Sequence, residues 1–158
     1  MLFQTKTAVF FRGLSGAGKS TAAKGLQKIA IDNGQTVAIH ETDSYFYDEN
    51  GVYNIDFSKM GEYHEANLQA FKRSIKDGVH LVINSNTNTQ YWEFVKYLQA
   101  SIEAGYSTVV YDLYDSGLTD QQLFERSQHG FPLEKYKSVR AFYEREYTGL
   151  DPRPFYER

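Results

Sequence analysis

The chain has no cysteine, which excludes disulfides, thiolate zinc sites and cysteine nucleophiles together. It has no run of ~18 apolar residues, so nothing in it reads as a membrane span. The opening Met1-Leu2-Phe3-Gln4-Thr5-Lys6 lacks the basic-then-apolar layout of a signal peptide. These absences predict a cytoplasmic protein with no membrane partner. Positive charge is not in excess either: the net charge is −3, so no global field recruits nucleic acid, although a local basic groove remains open. The four histidines show no metal-ligand spacing, and no protein-built metal site is expected from them. There is also no internal repeat, low-complexity tract or linker. The chain reads as one domain over residues 1–158.

What is present is the balance of a globular protein, 41% hydrophobic and 23% charged over 158 residues, long enough for one sizeable core. Aromatics reach 16%, with 13 tyrosines and 11 phenylalanines. They read mainly as core and groove packing, since tyrosine suits half-buried positions.

Apolar β-rich runs alternate with helical periodicity. Strands are predicted at 7–11, 36–40, 79–83 and 106–113. Helices are predicted from Gly18 to a stop at Asn33-Gly34, over 58–76, around Phe94, Leu98 and Ile102, over 119–126, and over 133–147 after a Gly130/Pro132 break. Asp48-Glu49-Asn50-Gly51 marks a turn, and Asp151-Pro152-Arg153-Pro154 an irregular tail. Trp92 reads as packing at the start of the third helix. This order predicts an α/β, three-layer fold: a parallel sheet of four to five strands with helices on both faces. In such sheets ligands bind beyond the carboxyl ends of the strands. That rule draws together 13–20, Asp43, 84–88 and the segment after Leu113.

Gly13-Leu14-Ser15-Gly16-Ala17-Gly18-Lys19-Ser20 fits G-x-x-x-x-G-K-[ST] at every fixed position, between a predicted strand and a predicted helix. A chain this long matches by accident roughly 0.5% of the time, and the required context lowers that chance, so a mere glycine turn is set aside. Successive backbone N–H groups and the helix N-terminus attract phosphate. The residues expected to bind ATP are therefore Gly13, Ser15, Gly16, Ala17, Gly18, Lys19 and Ser20, with Thr21 following. Lys19 would meet the β/γ-phosphates, and Ser20 would ligate Mg²⁺. Asp43, read as the end of the second strand, is either a general base or metal-site carboxylate, or a cap of the following turn. Arg126 is either a mobile arginine that meets the γ-phosphate or a solvated arginine at a helix C-terminus. Lys135, Lys137 and Arg140 read as a solvated face.

With these residues in view, residues 8–147 resemble the kinase domain of phage polynucleotide kinase and the small P-loop ATPases related to it. The phosphate loop carries the resemblance, with Glu41-Thr42-Asp43-Ser44-Tyr45-Phe46, the stretch from Val82 to Gln90, and the lid-like Arg126-Ser127-Gln128-His129-Gly130-Phe131-Pro132. It implies a P-loop kinase with a helical lid, Asp43 activating the acceptor hydroxyl and Arg126 over the ATP phosphates. The implied reaction is transfer of the γ-phosphate to a hydroxyl, with a polynucleotide or nucleotide-like 5′-hydroxyl the first choice of acceptor. The loop filling Leu14-Ser15-Gly16-Ala17 also looks like adenylyl-sulfate kinase. The rivals are accordingly a small-molecule kinase and a nucleotide-gated binding module. Two departures stand out. Phe46 replaces an arginine near the acceptor phosphate, and Ser85 and Asn86 stand where relatives carry a strand-end acid, leaving Mg²⁺ to Ser20, Asp43 and water.

Overall fold

A computed structural model describes residues 3–145. Four parallel strands, β1 (Thr7–Gly13), β2 (Val37–His40), β3 (Leu81–Asn84) and β4 (Ser107–Tyr114), form a sheet in the order β2-β3-β1-β4. Five helices connect and flank them: α1 (Lys19–Asp32), α2 (Met60–Lys76), α3 (Tyr91–Glu103), α4 (Asp120–Arg126) and α5 (Tyr136–Phe142).

β1 is buried along its whole length, as expected for a parallel strand covered on both faces. Its side chains alternate between two cores. Ala8 and Phe10 join Val82 under Leu68, Phe71 and Ile75 of α2 and Phe94, Val95 and Leu98 of α3. Val9 and Phe11 join Leu81 and Ile83 under Ala23 and Ala30 of α1. A third cluster, Leu14, Ala17, Leu123, Tyr136 and Tyr143, ties the phosphate loop to α4 and α5. β1 lies between β3 and β4, so the chain leaves neighbouring strands in opposite directions at the carboxyl ends of β1 and β3. A crevice forms at such a switch point.

Several boundaries differ from the sequence reading, each for a local reason. The second strand stops at His40, and Asp43 sits beyond it in a 3₁₀ turn, Thr42–Phe46. There Asn86 Oδ1 accepts from Thr42 N at 2.8 Å, and Glu41 O accepts from Ser44 N. The second helix starts at Met60 because Asp56 accepts from Ser58 N and holds Phe57–Lys59 as a 3₁₀ turn. On α3, Ile102 faces outward at 61% exposure, and the inward row is Phe94, Leu98 and Ser101. The last helix is a 3₁₀ turn, Leu133–Lys135, followed by α5, which ends at Phe142. Tyr143 turns extended there, and its hydroxyl reaches Asp112 Oδ1 at 2.7 Å. Tyr147 and the 151–154 tail lie outside the described residues. Among the described residues, no helix is long and apolar enough to cross a membrane.

Candidate functional site

The loop after β1 is fixed from three sides. Gly13 N donates to Thr87 O at 3.0 Å, Leu14 N donates to Tyr114 O at 2.8 Å, and the Leu14 and Ala17 side chains enter the third core cluster. Gly16 has φ +86°, and a Cβ there would collide with the carbonyl of Leu123, so α4 sits where only glycine permits it. Gly18, at φ +101°, precedes α1 with no side-chain cap. The first-turn N–H groups of α1 therefore remain available to an anion at the helix N-terminus.

Lys19 is 9% exposed and folds back, its ammonium donating to Gly13 O at 2.9 Å and Leu14 O at 3.0 Å. Burial lowers its pKa to about 8, against the opposing pull of Glu41 and Asp43. Among the described residues no carboxylate pairs directly with this lysine, and a phosphate would supply the close anion. Ser20 Oγ donates to Glu41 Oε1 and Oε2 at 3.1 and 3.2 Å, and Ser85 Oγ donates to Glu41 Oε2 at 3.4 Å. Thr21 is exposed on the next position of α1.

Asp43 is partly buried and, among the described residues, accepts one hydrogen bond, from the Tyr53 hydroxyl at 3.5 Å. Among the described residues no backbone N–H donates to its carboxylate, so the turn-cap alternative has no bond to support it. The Tyr53 hydroxyl is held well above the usual phenol range by burial and by the neighbouring carboxylate of Asp43. His129 arrives from the segment between α4 and α5. Its Nε2 is 3.8 Å from Glu41 Oε1 and 4.0 Å from Asp43 Oδ2, and its ring lies 4.8 Å from that of Tyr53. Glu41, Asp43 and His129 form a cluster whose ligand atoms all lie within 4.8 Å of one another.

Arg126, at the end of α4, places Nη2 3.7 Å from where a Cβ on Gly18 would lie, so its guanidinium sits over the N-terminus of α1. The following Ser127 shares a 2.7 Å hydrogen bond with Ser15, and Tyr136 OH donates to Ser15 O at 2.9 Å. The helical segment is thus docked on the loop.

Two cavities meet here. One, about 280 Å³, is lined by the phosphate loop, Lys24, Glu41, Arg126 and Gln128. The other, about 800 Å³, is walled by Phe57, Trp92, Tyr97 and Phe131 with Lys96 and Lys135. Ser15, Asp43, Thr87 and His129 line both.

Solved structures share this architecture. The APS kinase of Mycobacterium tuberculosis in complex with AMPPNP and APS superposes with a TM-score of 0.58 at 14% identity, over 86% of this chain and 76% of that one. The Pnkp1/Rnl/Hen1 RNA repair complex contains a chain matching at TM-score 0.57 and 14% identity, over 92% of this chain and 47% of that one. The fold is that of the P-loop kinases. In sequence, human NEDD4-binding protein 2 is 35% identical over 139 residues, which is 87% of this chain. The chain spans 8% of that protein's length. No family model matches it.

Within this P-loop kinase fold, the structure brings Lys19, Ser20, Asp43 and Arg126 to one crevice, as the sequence predicts. It also corrects two readings, those of Trp92 and Arg140. At the end of β3, where Ser85 and Asn86 stand in place of an acid, Ser85 Oγ donates to Glu41, one residue past the end of β2. His129 has no ligand spacing in sequence because its partners lie on another loop. Trp92 is 42% exposed, with its indole donating to Gln90 Oε1, and it forms cavity wall rather than core. Arg140 is a brace rather than a solvated residue, bonded to Asp115 at 2.6 Å and Asp120 at 2.7 Å. Lys135 and Lys137 are exposed as expected. Glu41 was legible only as a neighbour of Asp43, and His129 only as part of the lid-like segment.

Proposed function

We propose that the protein is an ATP-dependent phosphotransferase that moves the γ-phosphate to a hydroxyl of an acceptor bound in the larger cavity. The observation that carries this reading is the shared wall. Asp43 and His129 border both the cavity at the phosphate loop and the aromatic cavity beside it. A donor phosphate and an acceptor hydroxyl would meet at that wall.

In this reading Lys19 leaves the carbonyls of Gly13 and Leu14 for the β/γ-phosphates, while the loop amides and the N-terminus of α1 hold the remaining oxygens. The hydroxyl and carboxylate oxygens of Ser20, Glu41 and Asp43 suit Mg²⁺, a hard cation that prefers oxygen ligands. When bound, the ion supplies charge neutralisation on the phosphates. Asp43 takes the proton of the acceptor hydroxyl, and Tyr53 and His129 hold its carboxylate from either side. Arg126 spreads positive charge over the transferring group.

The acceptor we favour is a polynucleotide or nucleotide 5′-hydroxyl. Phe57 and Trp92 offer exposed faces for base stacking, and Lys96 and Lys135 offer charge for a backbone phosphate. A small nucleotide-like acceptor of the adenylyl-sulfate kind is the second reading, supported by the APS-bound neighbour and the low number of cations in the cavity. Against the binding-module reading we weigh Glu41, a carboxylate beside Ser85 in the same crevice.

Single-turnover transfer with Asp43→Asn tests the assignment. Transfer should fall about 10²–10⁴-fold, the usual worth of general-base catalysis, while ATP still binds; loss of Mg-ATP binding instead would make Asp43 a metal-site residue. Near-normal transfer would remove Asp43 from the role of base.

A further inference from the structure

Arg12 is fully buried on β1, one residue before the phosphate loop, and plays no part in the chemistry described above. It points to the face covered by α3, with its guanidinium 5.4 Å from the Phe94 ring and 4.9 Å from the Tyr143 ring. Nε donates to Asn88 O at 2.7 Å, and Nη2 donates to Thr89 O at 2.9 Å and Glu144 O at 2.6 Å. Nη1 meets Asp112 Oδ2 at 3.3 Å. A buried cation is tolerated when paired and fully bonded, but an apolar residue of similar volume stabilises a core at least as well. What the guanidinium adds is geometry: one planar fork joins three segments far apart in sequence.

One of those segments walls the site, and another continues from the lid-like segment. Residues 85–90 carry Thr87 and Asn88 into the aromatic cavity, with Asn88 in the left-handed region at φ +48°. Residues 142–144 continue the chain from α5, and hence from the lid-like segment 126–132. The two stretches are stitched by Glu144 N donating to Thr89 O at 2.9 Å and by Gln90 Nε2 donating to Phe142 O at 3.2 Å. Asp112 takes both Arg12 and the Tyr143 hydroxyl.

We propose that Arg12 is a positioning residue that straps residues 142–144 to the 85–90 loop, so that the acceptor wall and the far anchor of the lid are set together. The consequence for substrate rests on the phosphotransferase reading: the strap acts chiefly on acceptor binding, because the phosphate loop keeps anchors besides the Gly13–Thr87 bond. The phosphate loop has its own anchors at Tyr114 and Tyr136.

The test uses two variants. Arg12→Lys keeps the charge and loses the fork. Glu144→Pro deletes the N–H that Thr89 accepts, with Glu144→Ala as the control for the lost carboxylate, after a Tyr143 already extended at φ −66°, ψ 121°, a conformation that proline tolerates in the residue before it. Hydrogen exchange should accelerate at the bonded amides of Asn86 and Gln90 in both variants. The acceptor KM should rise on the order of tenfold, while the equilibrium Kd for an ATP analogue stays within about twofold. Unchanged exchange in both variants overturns the strap whatever the transfer assay shows. Faster exchange with an unchanged acceptor KM, or with nucleotide Kd rising in step, overturns its assignment to the acceptor side. Absence of transfer by the unmodified protein overturns the phosphotransferase reading and leaves the exchange measurement to decide the strap alone.

Discussion

Lys19 shows how one buried residue can report on ligand binding. Its pKa of about 8 follows first from desolvation, and phosphate oxygens in the loop would restore the charged form. Between about pH 8 and 10.5 the free protein holds Lys19 neutral while the unfolded chain holds it protonated. The unfolded state binds more protons there, so this group's contribution to stability rises with pH across that window. Nucleotide binding runs the other way. Near pH 8.5 it should take up a fraction of a proton, and affinity should decline as pH rises through and above 8. Calorimetry in two buffers of different ionisation enthalpy measures the uptake, and buffer-independent heats would contradict it. Lys19→Ala should weaken ATP binding about tenfold to hundredfold, the worth of a charge-assisted hydrogen bond set, in a protein whose circular dichroism is unchanged.

At the scale of elements, the segment from α4 to α5 is the part whose behaviour matters most. It is pinned at one end by Leu123 against Gly16 and by Ser127 on Ser15, and at the other by Arg140 on Asp115 and Asp120. Between the pins lie Gly130, at φ +65°, and Pro132, where a hinge motion is easily absorbed. Arg126 is exposed and rests over the loop, with no ion pair among the described residues. An arginine free to follow the phosphate acts mainly as charge shifts during transfer. Arg126→Ala should therefore lower kcat by about a thousandfold or more while leaving ATP affinity nearly intact. Arg126→Lys should recover only part, since lysine lacks the planar fork. Steady-state kinetics beside equilibrium nucleotide binding separates these outcomes. Wild-type kcat in Arg126→Ala would leave it a surface residue.

At the scale of the whole molecule, the fold was legible because its signals are local. A strand buried on both faces reads as an unbroken apolar run, as Thr7–Phe11 does, and the phosphate loop is contiguous in sequence. Helix ends were less legible, since Tyr143 leaves α5 to join Asp112 and Arg12, contacts more than thirty residues distant. The site was read in part for the same reason. Lys19 and Ser20 sit within the motif, whereas Glu41 and His129 meet only because β2 and the lid-like segment converge on one crevice. Arg12 was invisible, because a lone arginine after an apolar run carries no pattern that marks it as buried. The central claim is that donor and acceptor meet at Asp43. It is tested most directly by incubating the protein with Mg-ATP labelled at the γ-phosphate and 5′-hydroxyl DNA, 5′-hydroxyl RNA, nucleosides or adenylyl sulfate. Label should pass to a hydroxyl acceptor, with 5′-hydroxyl oligonucleotides foremost, and be lost with Asp43→Asn. Bound ATP with no labelled acceptor in any arm would contradict the account.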